Sequence, residues 1–286
     1  MTRTSLALDE LRGWIGRSET AADVVTATPA RALAATLDLP RTFDEGDALP
    51  PPWHWQYFLA MSPMAEVGTD GHPKRGGFLP PVPLPRRMWA GSRMDFHRPL
   101  RVGDAVTRVS SIVDVALKEG RSGTLVFVKV RHEITGPKGL AVVDEHDIVY
   151  RDLPEPDDPA PAPRSAAVHS AWRREIRPDP VLLFRYSALT YNSHRIHYDH
   201  PYVTTVEGYP GLLVHGPLLA TLLLDLLLRE QPRANVTRFE FRAVRPVFDV
   251  TPFFVCGQPA ADGRNAQLWI AGSDGFLCMD ATATLG

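Results

Sequence analysis

The chain has 286 residues, 44% of them apolar and 22% charged, with a formal net charge of −2. This is the composition of an ordinary folded chain and excludes a disordered tail protein. Two cysteines exclude a disulfide scaffold, and the lack of any long Lys/Arg run argues against a nucleic-acid partner.

The 27 prolines, about twice the usual share of ~5%, predict long, stiff connections. The opening MTRTSLALDELRGWIGR holds no apolar core of signal-peptide length. The most apolar stretch, Pro217–Leu228, includes Asp225 and is far short of the ~20 residues a spanning helix needs. It reads as a buried core helix, with Asp225 hydrogen-bonded to backbone or arginine. The expected location is the cytoplasm, away from membranes. Cys256 and Cys278 are expected to be inert core thiols.

Residues 5–40 predict helices. Ser5 precedes LALDELRGWI, and Thr28-Pro29 reads as an N-cap followed by a proline at the first helical position. Residues 47–89 are rich in Pro, Gly and aromatics and too long for a plain connection, so they predict a functional or interface loop. Its Trp53, Trp55, Tyr57 and Phe58, with Trp89, are expected in the core or an interface. From Gly91 the period becomes strand-like: 94–100, 105–117, 124–135 and 140–151, with tight turns between the last three, predict an antiparallel meander. The proline-rich stretch after residue 152 reads as a linker. Beyond it come a helix at Pro180–Leu189 and a long apolar helix at Gly211–Arg229. Strands follow at 236–248, 251–260, 266–273 and 276–285. Phe96-His97-Arg98-Pro99-Leu100 is echoed by Arg242-Ala243-Val244-Arg245-Pro246-Val247. Two copies of helix then antiparallel strands imply a duplicated α+β unit.

Chemistry concentrates between Tyr186 and Leu219. The segment YSALTYNSHRIHYD (186–199) is followed by GYPGLLVHGPLL (208–219). His194, His197 and His200 form H-x-x-H-x-x-H, but no cysteine is near, no H-E-x-x-H occurs and Pro201 interrupts, so no metal is expected. The segment resembles the signature of the MaoC-like, type 2 enoyl-CoA hydratase family of hot-dog proteins. That signature is an aromatic residue, Ser/Thr, Gly-Asp-x-Asn-Pro-(Leu/Ile)-His, then His-Gly about 20 residues on. Its histidine falls on His197 and its His-Gly on His215-Gly216. The chain departs from it: Asp falls on Asn192, Asn on His194, Pro on Arg195 and Gly on Tyr191. With the loop HPKRGGFLPPVPLPRRMWAG (72–91), the segment is most similar to the two-hot-dog subgroup that includes mesaconyl-C4-CoA and itaconyl-CoA hydratases.

The resemblance implies an α+β double hot-dog fold: two repeats of a long helix wrapped by a curved antiparallel sheet. Residues 1–152 would form an N-terminal, non-catalytic repeat that helps build the substrate tunnel, since it lacks any Asn/Asp-x4-His. Residues 153–165 would be the linker and 166–286 the catalytic repeat. The implied reaction is reversible hydration of a short, branched, carboxylated enoyl-CoA (itaconyl-CoA or mesaconyl-C4-CoA to citramalyl-CoA). No cofactor is expected, CoA being part of the substrate; a homo-oligomer is expected by analogy.

Hydration needs a base for water, a proton donor and a hydrogen-bond donor to the enolate oxygen. His197 is the expected base, helped by Asp199 or Tyr191. The Asn192 amide would hold the water, and the Gly216 N–H at a helix start would meet the thioester oxygen. His215, Tyr191, Arg195, Arg242, Arg87 and Arg93 are the expected substrate contacts, the arginines suiting carboxylate or CoA phosphate. The alternatives are a 3-hydroxyacyl-thioester dehydratase of fatty-acid metabolism, a non-catalytic acyl-CoA binding module and a thioesterase.

Overall fold

Ten strands join edge to edge in one antiparallel sheet in the computed structural model, which describes residues 8–120, 123–152 and 162–286. In chain order the elements begin with helix α1 (Leu8–Arg12), strand β1 (Ser18–Val24) and helix α2 (Ala27–Thr36). Strands β2 (Arg86–Phe96), β3 (Ala105–Gly120), β4 (Gly123–Gly136) and β5 (Gly139–Arg151) complete the first half. The second half has β6 (Trp172–Ile176) and helices α3 (Pro180–Leu189), α4 (His200–Thr205) and α5 (Gly216–Glu230). It ends with β7 (Val236–Ala243), β8 (Phe253–Pro259), β9 (Asn265–Gly272) and β10 (Leu277–Leu285). The sheet order is β1-β3-β4-β5-β2-β7-β10-β9-β8-β6. Read outward from the β2–β7 seam, the two halves have the same topology. The fold is the expected α+β double hot-dog.

The meander strands form because β-branched and aromatic residues alternate between faces; in TLVFVKV (124–130) Val126, Val128 and Val130 are buried and their neighbours half-buried. The sequence echo is also a structural one. The N–H groups of His97 and Arg98 both donate to the Ala141 carbonyl, as those of Val244 and Arg245 do to Cys278. Across the seam, Gly91 to Asp95 pair with Arg242 to Arg238, and Arg238 Nη1 reaches Asp95 Oδ1 at 2.8 Å. A Cβ at Gly91 would collide with the Phe241 carbonyl.

Helix α5 is wrapped by the sheet. Every residue from Leu218 to Leu227 is buried, which explains an apolar sequence on all sides. Asp225 is kept there by Arg174 and Arg229, each 2.8 Å from its Oδ2. Cys256 and Cys278 are free and buried, their thiols pushed up by desolvation. Helix α3 opens on Asp179, whose carboxylate accepts the Leu182 N–H at 2.8 Å, a cap that contributes about 1 kcal/mol.

The structure corrects several expectations. Strands β1 and β6 have unremarkable, polar sequences, and β1 lies where helix was expected; each is a sheet edge, so only one side must be satisfied. Thr28 is not a cap: α2 begins at Ala27, after Thr26. Helix α5 starts at Gly216 and not at Gly211, because residues 212–214 run extended beside 247–249. Among the described residues a long helix occurs in the C-terminal repeat alone; the longest helix of the N-terminal repeat is the ten-residue α2, which packs on α3. Ser5 and residues 153–161 of the linker lie outside the described residues. Among those described, no helix is long and apolar enough to cross a membrane.

Candidate active site

His197 closes a short 3-10 turn, Arg195–His197, between α3 and α4. It is 7% exposed. Its Nδ1 lies 2.7 Å from the Leu213 carbonyl oxygen. A carbonyl can only accept, so Nδ1 carries the hydrogen and Nε2 keeps a lone pair. Burial lowers His197 from the ordinary histidine range to about 4. The ring is therefore neutral at physiological pH and able to accept a proton at Nε2.

His215 stacks on His197 with ring centroids 3.7 Å apart and 17° between planes. It is 1% exposed, and its Nε2 sits 2.8 Å from Ser187 Oγ on α3. His215 therefore packs flat on His197, while its Nδ1 has no hydrogen-bond partner among the described residues. The next residue, Gly216, is the first of α5, so its N–H has no partner within the helix. A Cβ there would meet nothing within 4 Å, so open space lies in front of the helix start. The site thus joins a neutral imidazole to the positive end of a fifteen-residue helix.

Asn192 spends its carbonyl oxygen on the His194 N–H at 3.0 Å, leaving its NH2 as the group available to a ligand. Tyr191 takes a left-handed conformation, φ 50°, and is exposed. Asp199 is not free to assist His197. Its Oδ2 accepts from Arg195 Nε and Nη2 at 2.9 and 2.8 Å, and its Oδ1 caps α4 at Tyr202.

The arginines separate cleanly. Arg195 is engaged by Asp199, by the Thr69 carbonyl and by the face of Tyr202, 4.0 Å from its guanidinium. Arg93 is held by Asp147 at 2.8 Å and by Glu145 at 3.5 Å. Arg93 and Arg242 both lie on the sheet face opposite the buried Phe239 and Phe241, since side chains alternate along β2 and β7. Strand alternation therefore removes both from the site. Arg87, half-buried at the start of β2, is near enough to His72 and His194 to depress both. It is the one expected arginine the structure brings to the site.

The 47–89 loop supplies what sequence reasoning missed. Asp70-Gly71-His72 reaches across from the N-terminal repeat and lies on the motif. Ser193 Oγ donates to the Gly71 carbonyl at 2.6 Å, and the Arg195 N–H donates to the Asp70 carbonyl at 2.9 Å. Gly71 has φ +90° and no room for a side chain against the Ser193 backbone. The His72 ring packs on His194, centroids 3.8 Å apart, and His194 stands 5.5 Å from His197. Four imidazoles thus line up, His72, His194, His197 and His215, with Asp70 at one end. Desolvation pulls His194 to about 2 and His215 well down.

Asp70, His72 and His194 are also the one group among the described residues whose ligand atoms, within 4.8 Å of one another, could share a cation. The H-x-x-H-x-x-H reading is not that group, as it lacks Asp70 and His72. The signal for His72 was present in the loop's length and in the turn residues around it, but no periodicity ties residue 72 to residue 194.

Comparison with known proteins agrees with this fold. The hydroxyacyl-thioester dehydratase type 2 family matches residues 52–249. The mesaconyl-C4-CoA hydratase of Chloroflexus aurantiacus is 47% identical over 277 residues, covering 96% of this chain and 97% of that protein. The mitochondrial hydroxyacyl-thioester dehydratase type 2 of Schizosaccharomyces pombe is 29% identical over 279 residues, covering 87% and 91%. Two solved structures share the fold at low identity. A MaoC-like dehydratase from Phytophthora capsici has a TM-score of 0.71 at 14% identity, covering 98% of this chain and 99% of that one. A double hot-dog protein from Mycobacterium tuberculosis has 0.57 at 16%, covering 98% of each chain. With the signature histidine buried beside an open helix start in one of two hot-dog repeats, the chain belongs to the hydroxyacyl-thioester dehydratase type 2 family of hydro-lyases.

Proposed function

We propose that the protein reversibly hydrates a short, branched, carboxylated enoyl-CoA, taking mesaconyl-C4-CoA or itaconyl-CoA to citramalyl-CoA. The observation that carries this reading is the pairing of a neutral, tautomer-fixed His197 with the Gly216 N–H, joined through the stacked His215. Water gives a proton to His197 Nε2 as its oxygen bonds to the β-carbon. The double-bond electrons move toward the thioester carbonyl, whose oxygen takes negative charge. The Gly216 N–H and the helix dipole stabilise that oxygen, an effect of about 10²–10³ for one donor. The Asn192 NH2 donates to the water and holds it in line. The α-carbon then takes a proton from a second donor of the site, which is recharged from solvent as His197 releases its own proton. Mesaconyl-C4-CoA has the conjugated double bond this sequence needs. Itaconyl-CoA carries its double bond one carbon further out and needs a proton shift first, within reach of the same base.

Arg87 is the expected partner of the substrate's anionic group, a carboxylate or a CoA phosphate. It is a cation beside the imidazole row, and the other candidate arginines are engaged by acids or lie on the far face. The test is incubation with mesaconyl-C4-CoA, itaconyl-CoA and crotonyl-CoA, followed by enoyl absorbance, product mass and free thiol. Gain of one water on the carboxylated substrates supports the reading. A preference for crotonyl-CoA or longer chains would favour the 3-hydroxyacyl-thioester dehydratase, to which the likeness to the S. pombe protein also points. Free thiol would mean a thioesterase, and binding without turnover an acyl-CoA binding module.

A further inference from the structure

The imidazoles of the site have unequal partners. His197 donates to a backbone carbonyl, and His215 meets a serine hydroxyl. His72 alone among the four meets a carboxylate, its Nδ1 lying 3.3 Å from Asp70 Oδ2. The other Asp70 oxygen accepts the His72 backbone N–H at 3.0 Å, so both carboxylate oxygens address the same residue. The turn they form is pinned by Gly68 N–H to His72 carbonyl at 2.7 Å. It is pressed onto the motif through Gly71, where a side chain would collide with Ser193. An imidazole whose one nitrogen is held by a carboxylate, leaving the other nitrogen to react, is the recurring arrangement of an oriented acid–base. Residue 192, meanwhile, is an amide that cannot titrate, and Asp199 is occupied by Arg195.

We propose that His72, oriented by Asp70, is a second proton-transfer residue of this site, delivering the proton to the α-carbon while His197 takes one from water. The inference rests on the hydratase reading above. In the hydration direction the water oxygen bonds to the β-carbon, and one O–H proton passes to His197 Nε2. The double-bond pair delocalises onto the thioester oxygen. It then forms the α C–H bond with the hydrogen on His72 Nε2, whose N–H bond breaks. The substrate has gained one water; His197 ends protonated and His72 neutral, and exchange with solvent restores both. In dehydration the roles reverse, with His72 the base for the α-proton.

The groups facing His72 are Asp70, which favours its charged form, and Arg87, Arg75 and the neighbouring imidazoles, which oppose it along with burial. Opposition wins, so burial holds the His72 imidazole below the ordinary histidine range. Asp70 acts only through His72 and is a positioning residue.

The experiment compares wild type, His72→Ala, His72→Gln and Asp70→Asn on mesaconyl-C4-CoA across pH, with folding checked by circular dichroism. Both His72 variants are expected to lose at least 10²-fold in kcat with KM within about threefold, and added imidazole should partly rescue His72→Ala. Asp70→Asn, nearly isosteric, should lower kcat about 10-fold or more. It should also move the alkaline limb of the profile to lower pH, because the imidazolium has lost its counter-charge. Wild-type-like kcat in the His72 variants, a loss confined to KM, or an unmoved profile in Asp70→Asn would overturn the assignment. So would activity removed by a chelator and restored by zinc at one ion per chain, which would make the cluster a metal site. If wild type itself hydrates no enoyl-CoA, the hydratase reading falls and the dyad's role with it. A normal wild type beside normal variants brings down the dyad alone.

Discussion

The two repeats use matching backbone positions for opposite purposes. The bridge Leu213–Phe248 and the bond from Val214 N–H to the Val247 carbonyl have counterparts in Ala48–Arg101 and Leu49 N–H to Leu100. In this register His215, Gly216 and Pro217 correspond to Pro50, Pro51 and Pro52. The C-terminal repeat then enters a fifteen-residue apolar helix with a free N–H at its start. The N-terminal repeat has a proline, with no N–H, at the same place and manages only a four-residue 3-10 helix, Trp53–Gln56. Beyond Gln56 the helix does not continue: Phe58 takes a left-handed φ of 56°, and Pro63 and Gly68 follow. The chain becomes instead the loop that carries Asp70 and His72 to the other repeat. One copy has the helix and its donor; the other has neither and carries the reaching loop.

The interiors differ in the same sense. Near the helix start the C-terminal repeat buries neutral histidines. The N-terminal repeat buries a charge: Asp144, 1% exposed, accepts from His146 Nε2 and Trp55 Nε1 at 2.8 Å each and from Ser92, with His54 Nε2 at 3.2 Å. The His146 and His54 imidazoles hold its carboxylate well below the usual range despite full burial. This cluster sits in the repeat with no helix donor and reads as structural glue around the aromatic packing.

The comparison can be broken in order of effect. His197→Ala should lower kcat by about 10²–10⁴ with folding intact; near-normal turnover would end its role as base. Gly216→Pro copies the N-terminal repeat into the C-terminal one. It should cost about 10²–10³ in kcat with a smaller change in melting temperature, and undiminished activity would remove the helix start from the mechanism. Asp144→Asn should do the reverse: destabilise by roughly 3 kcal/mol in denaturant unfolding while kcat of the folded protein holds. A kinetic defect without a stability defect would make that cluster part of the site.

A fourth outcome concerns acid. His197 titrates at about 4 when folded against an ordinary ~6.5 unfolded. Between those values the unfolded chain binds a proton that the native one refuses. The stability contribution is therefore complete above about 6.5 and is lost as pH falls toward 4. His194 and His215, also depressed by burial, extend the loss further into acid. Unfolding free energy should decline steadily over this window, and the slope should lessen in His197→Ala; a flat profile would mean the histidines are solvated. The smallest effect belongs to Arg242→Ala, on the outer face, where kcat/KM should change by less than about twofold. A tenfold rise in KM would return Arg242 to the substrate.

Much of the fold was legible because it depends on local signals. The meander strands announce themselves by alternating β-branched residues and tight turns, and α3 by Asp179-Pro180. The linkage of His197 to His215-Gly216 was readable through a resemblance that spans both. The edge strands β1 and β6 were not, since an edge needs neither a long apolar run nor strong propensity. Arg93, Arg195 and Arg242 looked like equal candidates, because a sequence shows a charge but not the acid beside it or the sheet face it occupies.

What the sequence by itself determined is the duplication and the buried helix, because periodicity, turn chemistry and residue type act over a few neighbours; the family resemblance added the histidine proposed here as the base. What only the tertiary structure decided is which groups stand around that base. His72 and His194 are 122 residues apart and meet only because a proline-rich loop from one repeat is hydrogen-bonded onto the other at Gly71 and Ser193. Such a contact is fixed by the closing of the whole sheet, and no local stretch of the chain encodes it.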